Sequence, residues 1–140
     1  YHADGKTALT RCADKHKFKT LADIDKPEVR LVVNPGGTNQ RFVDDNIKQA
    51  RTIVHDHNRD IFALLVEGKT DVMITDRIEA EWQAAKLPLL CVPMADNLTY
   101  QEKAYLMPRD IALKEFVDTW LSLRLAEGKI QQMLRPDGGR

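Results

Sequence analysis

The loop at residues 34–39 has the composition of a binding site for an anion, since its sequence is NPGGTN. Gly36 and Gly37 let the backbone approach a ligand closely, and Thr38 and Asn39 supply a hydroxyl and an amide at the predicted start of a helix. Such a group of donors suits a carboxylate. The same residues also fit a tight turn in which Thr38 is an ordinary helix cap, and the sequence leaves both interpretations open.

Residues 76–79, with the sequence DRIE, form a second candidate site. Asp76 and Glu79 have the spacing of a capping box, in which both side chains serve their own helix. In the functional interpretation, Asp76 accepts from an amino group or a partner cation, and Glu79 is a proton donor beside a cleft. A helix N-terminus favours an ionised carboxylate, so Glu79 keeps its proton only if burial against a closing lid or substrate charge outweighs the helix dipole.

The other reactive side chains indicate neither a metal centre nor a nucleophile. His55 and His57 are two potential ligands without a third, and Ser122, the only serine, lies inside a predicted helix. Cys12 and Cys91 form no CxxC or zinc pattern and are either one disulfide or two reduced core thiols. Both Gly-Lys-Thr tripeptides lack the earlier glycine of a phosphate-binding loop. We therefore expect no metal and no other cofactor.

Short apolar runs alternate with amphipathic ones, which predicts an α/β fold with a doubly wound, mostly parallel sheet flanked by helices. In such a sheet the polar loops after the strands meet at one edge, where ligands bind. The predicted strands are residues 29–33, 52–55, 71–75 and 89–93, and the predicted helices cover residues 38–50 and then start at Asn58 and Asp76.

The two flanks differ from this pattern. Residues 1–12 and 102–107 are predicted to be extended. Further on, a helix with one strongly apolar face is followed, after Gly128, by a short final helix. If no other part of the protein covers that face, we expect self-association through the C-terminal helices. The residues that form the apolar face are Leu113, Phe116, Val117, Trp120 and Leu121.

Composition excludes several functional classes. The chain has 140 residues, 16.0 kDa and a balance of 21 basic against 21 acidic residues, so it carries no broad basic field for nucleic acid. No apolar run is long enough for a membrane helix, and we expect no membrane insertion. This length supports one ordinary domain core, with a small appendage at most.

Four segments together resemble the periplasmic cyclohexadienyl dehydratases, enzymes built on the amino-acid-binding type of periplasmic solute-binding protein. The likeness runs over nearly the whole chain. It implies the second lobe of a type II periplasmic binding protein, which normally has two lobes joined by two crossing strands. The matching segments are DGKT at residues 4–7, VNPGGTN at 33–39, MITD with Glu79 at 73–79, and EKAYLMPRD at 102–110.

On that template the chain divides into four parts. Residues 1–10 are the first crossover strand, residues 11–101 the second lobe, residues 102–109 the return crossover strand, and residues 110–140 helices that normally pack on the first lobe. The first lobe is absent from this chain, and it is the missing partner that the resemblance implies. The isolated fragment is therefore expected to be inactive.

The resemblance implies a hydro-lyase that acts on prephenate or L-arogenate, with loss of carbon dioxide and hydroxide, to give phenylpyruvate or L-phenylalanine. The partner is then a small carboxylate, the location is the periplasm, and Cys12 and Cys91 are expected to form a disulfide in that oxidising compartment. The implied site residues are Glu79 as general acid and, for substrate binding, Gly37, Thr38, Asn39, Asp76 and Lys103.

Two rival functions share these features. A non-catalytic solute receptor of an amino-acid ABC transporter would use the same fold and the same carboxylate grip, with no need for a proton donor at Glu79. A purely structural unit that pairs through its terminal helices is the third hypothesis. Turnover in the longer protein separates the first two.

Overall fold

The computed structural model describes residues 1–136, and its central feature is a five-stranded mixed sheet. A second, two-stranded sheet lies beside it. The strands are β1 (His2–Asp4), β2 (Lys6–Arg11), β3 (Arg30–Val33), β4 (Arg51–Val54), β5 (Val72–Asp76), β6 (Leu90–Cys91) and β7 (Gln101–Lys103). The helices are a 3-10 helix (Cys12–Lys17), α1 (Leu21–Ile24), α2 (Thr38–Asn46), α3 (Ile61–Val66), α4 (Arg77–Lys86), α5 (Ile111–Ala126) and α6 (Lys129–Met133).

The order of the five-stranded sheet is β4-β3-β5-β2-β6. β3 pairs in parallel with β4 and β5, whereas β2 runs antiparallel to β5 and β6. β6 therefore points the same way as β5, and β2 alone opposes the other four strands. The predicted α/β class with a mostly parallel sheet is confirmed, and the antiparallel insertion of β2 places the start of that strand beside the end of β5.

Helices cover both faces of the sheet because the strands are apolar on both sides. Leu31 and Val33 of β3 pack in one layer, while Val32 packs in the other. The first layer is closed by α1 and α2, and the second by α3 and α4. This alternation is the period-2 pattern of a strand that is buried on both faces.

Two helix boundaries differ from the predicted ones. α2 ends at Asn46 rather than near Ala50, because the backbone N–H groups of residues 48–50 donate to Asp25 Oδ1 at 2.6–3.0 Å instead of continuing the helix. α3 begins after Asp60, not after Asn58. The predicted fourth strand is reduced to Leu90–Cys91. At α2, a contact with a residue more than twenty positions away in the sequence therefore decides where the helix stops.

The two cysteines form a disulfide. Cys12 follows β2 and Cys91 ends β6, and their Cα atoms lie 4.8 Å apart. The bond therefore joins the two strands at the sheet end that is opposite to the predicted site. The disulfide implied by the resemblance is confirmed.

The flanking segments lie outside the five-stranded sheet. β1 and β7 pair antiparallel in a two-stranded ribbon, with His2 opposite Lys103. α5 follows and has no buried residue, so Ile111 and Phe116 are 81% and 71% exposed. Of the predicted segment 110–140, residues 137–140 lie outside the described part of the chain. No helix within residues 1–136 is both long and apolar enough to cross a membrane.

Candidate functional site

The two predicted polar loops meet at one edge of the sheet. Residues 34–39 follow β3 and residues 76–79 follow β5, and these strands are parallel neighbours whose carboxyl ends coincide. The side chains of Thr38, Asn39, Asp76 and Glu79 belong to one connected network of hydrogen bonds. The candidate site is therefore formed by residues brought together from separate parts of the chain.

Lys6, which the sequence analysis assigned no role, is the centre of this network. It is the first residue of β2 and pairs with Asp76, because β2 runs antiparallel to β5. Its side chain is 0% exposed. The ammonium group donates to Thr38 Oγ1 at 2.7 Å, to Asp76 Oδ1 at 2.6 Å and to Asn39 Oδ1. All the donors of a lysine are therefore used inside the protein.

Asp76 stands at the N-cap of α4, yet its side chain accepts no hydrogen bond from that helix. One carboxylate oxygen bonds Lys6, and the other bonds Lys103 on β7. Burial acts to raise the pKa of Asp76, but the hydrogen bonds from Lys103 and Lys6 outweigh it and hold that pKa below its usual value. Likewise burial acts to lower the pKa of Lys103, and Asp76 reverses the effect. The capping-box interpretation of residues 76–79 is wrong.

The capping function falls to Asp4, from another part of the chain. Asp4 is 3% exposed, and its Oδ1 accepts from the backbone N–H of Gly5 at 2.8 Å and of Ile78, in the first turn of α4, at 3.3 Å. The other oxygen lies 3.5 Å from Lys103 Nζ. Because Asp4 serves the helix start, Asp76 is available to bind cations.

Gly5 allows this arrangement because a strap formed by residues 97–99 passes directly over it. A Cβ atom at Gly5 would overlap the carbonyl oxygen of Thr99. The same strap donates the backbone N–H of Leu98 to Lys6 O at 2.7 Å, and Thr99 Oγ1 accepts from Lys6 N at 2.9 Å. The backbone on both sides of Lys6 is thereby fixed.

Glu79 takes part in a second branch of the network. Its Oε2 accepts from the hydroxyl of Thr75, and Thr75 Oγ1 in turn accepts from Asn39 Nδ2 at 3.3 Å. Asn39 Nδ2 also donates to Asn34 Oδ1 at 2.9 Å. Within residues 1–136 no ion pair involves Glu79, so its nearest polar partner is a neutral hydroxyl.

A cavity of about 440 Å³ opens beside these two branches. Its lining places two acidic side chains and an indole around one space, which is large enough for a small organic molecule. The lining residues are Asp76, Ile78, Glu79, Trp82 and Gln83. Trp82 is fixed there by its Nε1, which donates to Leu134 O at 2.7 Å.

Not every predicted site residue borders this cavity. Gly37 is the N-cap of α2 and lies in an exposed turn, and Thr38 is the first residue of that helix, so Thr38 is not its cap as one interpretation held. Lys103 reaches the site from β7 through Asp76. The structure thus joins Thr38, Asn39, Asp76, Glu79 and Lys103 by hydrogen bonds and leaves Gly37 outside the cavity.

Sequence reasoning gave Asp4, Lys6 and Thr75 no role in the site, and it included Asn34 only as part of the loop at residues 34–39. A signal was present for the first two, because charged side chains flank a glycine directly before an apolar strand, and buried charges require partners. Finding those partners needed the antiparallel register between β2 and β5, which the alternation of strands and helices did not indicate.

The chain is 46% identical over 135 residues to a cyclohexadienyl dehydratase from Pseudomonas aeruginosa. That match covers 96% of this chain and 50% of the relative, so the chain spans about half the length of the curated relative it matches. No protein-family model matches the chain.

Solved structures similar to this chain include a dehydratase and amino-acid-binding proteins. An ancestral cyclohexadienyl dehydratase is 40% identical with a TM-score of 0.65, over 95% of this chain and 56% of that one. An ancestral cationic amino acid solute-binding protein is 26% identical with a TM-score of 0.85, over 96% and 58% of the two chains. A substrate-binding protein of an amino acid ABC transporter from Streptococcus pneumoniae, bound to L-arginine, is 16% identical with a TM-score of 0.82, over 99% and 58%, and this likeness shows the fold alone.

The resemblance read from the sequence motifs is thereby confirmed over nearly the whole chain. The fold is that of a lobe of the amino-acid-binding proteins. The chain is similar in sequence to about half of a cyclohexadienyl dehydratase, and it is similar in fold to an ancestral one and to an ancestral amino-acid-binding protein.

Proposed function

We propose that this chain is the second lobe, with the C-terminal helices, of a periplasmic cyclohexadienyl dehydratase, and that Glu79 is the general acid. The observation that carries the proposal is the position of Glu79. Its carboxyl group bonds Thr75 rather than the helix start, which Asp4 serves, and it borders the cavity together with Asp76. A carboxyl group that borders a cavity and does not cap a helix can transfer a proton to a ligand.

The reaction requires one proton. In prephenate, the bond between the ring and its carboxylate breaks, carbon dioxide leaves, and the electron pair moves into the ring. The hydroxyl on the opposite ring carbon departs with its bonding electrons and takes a proton from Glu79, which makes water, while the ring becomes aromatic in phenylpyruvate. Solvent then restores the proton to Glu79. L-arogenate gives L-phenylalanine in the same way.

In this proposal Thr38 binds a substrate carboxylate. Its Oγ1 accepts from Lys6, which leaves the hydroxyl proton free to donate to a ligand. Backbone donors at Gly37 and the start of α2 add to this grip. Asn39 is saturated by Lys6, Asn34 and Thr75, so its function in the site is to hold these groups in place.

The isolated chain lacks the surface that would close this cavity. Because the chain spans about half of its relative, the first lobe is the proposed cover for the cavity and for the exposed face of α5. Alone, α5 exposes Phe116 and Trp120 by 71% and 40%, and a second copy of the chain is expected to cover them. Sedimentation should show a concentration-dependent dimer that Phe116→Lys weakens, and a monomer at high concentration would contradict this.

The decisive test is Glu79→Gln in the longer protein that contains this chain. Prephenate is supplied and the formation of phenylpyruvate is followed. We expect turnover to fall by at least about a hundredfold, the usual scale of general acid catalysis, while substrate binding remains. The matched control is Glu81→Gln on the same helix, where the side chain is 54% exposed and faces Arg77. Unchanged turnover in Glu79→Gln would refute the assignment.

An amino-acid receptor without catalysis is the second candidate. It is favoured by the solved structures named for cationic amino acid and L-arginine binding, which share the fold. On this hypothesis the longer protein binds an amino acid tightly and leaves prephenate unchanged. Calorimetry with amino acids, beside the turnover assay, separates the two.

A further inference from the structure

We propose that Thr75 is a positioning residue for Glu79, and that it fixes which carboxyl oxygen of Glu79 carries the proton that is transferred. The inference rests on the proposed function, because it takes Glu79 as the general acid. It adds the atom from which the proton leaves, Oε1, and the residue that decides this.

The direction of the hydrogen bonds around Thr75 is set by Lys6. A lysine ammonium can only donate, so the atom of Asn39 that faces Lys6 is the amide oxygen, Oδ1. The amide nitrogen of Asn39 then donates to Thr75 Oγ1 at 3.3 Å and to Asn34 Oδ1 at 2.9 Å. The hydroxyl oxygen of Thr75 therefore receives a hydrogen bond from Asn39.

The hydroxyl proton of Thr75 is left to bond Glu79. Thr75 is 0% exposed, so this proton needs an acceptor inside the protein, and Glu79 Oε2 is the acceptor that the structure provides. In a protonated carboxyl group, the oxygen that accepts such a bond is the carbonyl oxygen. The acidic proton of Glu79 therefore belongs on the other oxygen, Oε1.

Glu79 Oε1 remains available to a ligand. Within residues 1–136 no hydrogen bond involves this atom, and Glu79 borders the cavity of about 440 Å³. The bond from Thr75 to Oε2 also restricts rotation of the Glu79 side chain. A misplacement of about 1 Å between reacting groups can cost about a hundredfold in rate, so this restriction favours proton transfer.

The hydrogen bond from Thr75 becomes stronger during the transfer. The bond between Oε1 and its proton breaks, its electron pair stays on Oε1, and the proton joins the departing hydroxyl of the substrate to form water. Glu79 is then a carboxylate, and a hydrogen bond to an ionised acceptor is about twice as strong as one to a neutral acceptor. Thr75 therefore stabilises the transition state more than the bound substrate, and it should affect kcat more than KM.

The test is Thr75→Val in the longer protein that contains this chain, with prephenate as the substrate. Valine keeps the shape of the side chain and cannot donate a hydrogen bond. We expect kcat to fall by about tenfold, while KM changes by less than about threefold. Thr75→Ser keeps the hydroxyl and should keep kcat within about threefold of the parent.

The matched control is Thr70→Val, just before β5. Thr70 is 2% exposed, and its Oγ1 has no hydrogen-bond partner within residues 1–136. The same replacement there should leave kcat unchanged. Chemical denaturation checks that each variant is folded, and Thr75→Ala, which also lacks the hydroxyl, replaces Thr75→Val if the valine variant is not.

Several outcomes would overturn the inference. They are an unchanged kcat in Thr75→Val, an equal loss in Thr75→Ser or in Thr70→Val, and a loss that appears wholly in KM. Glu79→Gln is measured beside these variants. Unchanged turnover in Glu79→Gln would refute the proposed function, whereas turnover that is lost in Glu79→Gln and kept in Thr75→Val would refute only the positioning by Thr75.

Discussion

Strand β5 carries a charged cluster at each end, and the two clusters are built differently. Asp71, just before β5, is held by Arg11 and Arg30, and these arginines also donate to backbone carbonyls of residues 65–70. Asp76, at the other end, is held by Lys6 and Lys103 beside a cavity. The arginines bond the backbone carbonyls of the loop before β5, whereas the ammonium groups of the lysines bond only side chains in the hydrogen bonds described for residues 1–136.

The disulfide belongs to the arginine end. Cys12 directly follows Arg11, the last residue of β2. Cys91 of β6 pairs with Thr10 of β2. One end of the sheet is therefore stabilised by the disulfide and by the guanidinium groups of Arg11 and Arg30. The other end depends on one buried lysine, Lys6. From this contrast we expect the two ends to respond differently to substitution.

The largest effect on stability should come from the double variant Cys12→Ala with Cys91→Ala. The bond closes a loop between residues 79 positions apart, and the loss of that constraint on the unfolded chain costs about 4 kcal/mol. Chemical denaturation measures the free energy of unfolding. A change below about 1 kcal/mol would show that the arginine cluster braces this end without help from the disulfide.

The next effect should come from Lys6→Met, which removes the hydrogen bonds that Thr38 Oγ1, Asn39 Oδ1 and Asp76 Oδ1 accept from Lys6. We expect a loss of about 3 kcal/mol in the free energy of unfolding, the range for breaking a buried ion pair.

The matched variant at the other end is Arg30→Met, in which the side chain is 39% exposed and the pair is screened by water. Its loss should be smaller than that of Lys6→Met. Equal losses in denaturation experiments would show that burial does not distinguish the two clusters.

The smallest effect concerns acid. The pKa of Asp71 and that of Asp76 are both lowered from 3.8, because hydrogen bonds from their cationic partners outweigh burial. A lowered folded-state pKa contributes stability above 3.8 that is lost as the pH falls through the folded-state value. Asp76→Asn and Asp71→Asn should each flatten the fall in unfolding free energy below that pH.

The control for these titrations is Asp45→Asn at an exposed position of α2. It should keep the acid profile of the parent. If Asp76→Asn also keeps that profile, the lysine cluster contributes nothing to acid sensitivity, and the expected acid response of this end of β5 is wrong.

The sheet and the approach of its two polar loops were predictable because both follow from local patterns. Apolar runs predict strands, and parallel strands bring the loops after them to one edge. The network around Lys6 was not predictable in this way. It depends on β2 entering the sheet against the direction of β5, which is a property of the whole fold.

The same distinction explains the errors at helix ends. Residues 76–79 match a capping box, but the competing acceptor Asp4 stands more than seventy positions away in the sequence. α2 likewise stops where Asp25 collects the backbone donors of the next loop. A short-range motif indicates which hydrogen bonds a helix end can form. A carboxylate from a distant part of the sequence decides which of them it does form.

The cap that Asp4 supplies to α4 has a consequence for recombining related proteins. The backbone N–H of Ile78, in the first turn of α4, donates to Asp4 of β1. These two segments therefore form one structural unit although they are far apart in the sequence. A chimera that takes its opening residues from one parent and its α4 from another would inherit half of this arrangement. Crossover points between such parents are therefore best chosen so that Asp4 and Ile78 come from the same source.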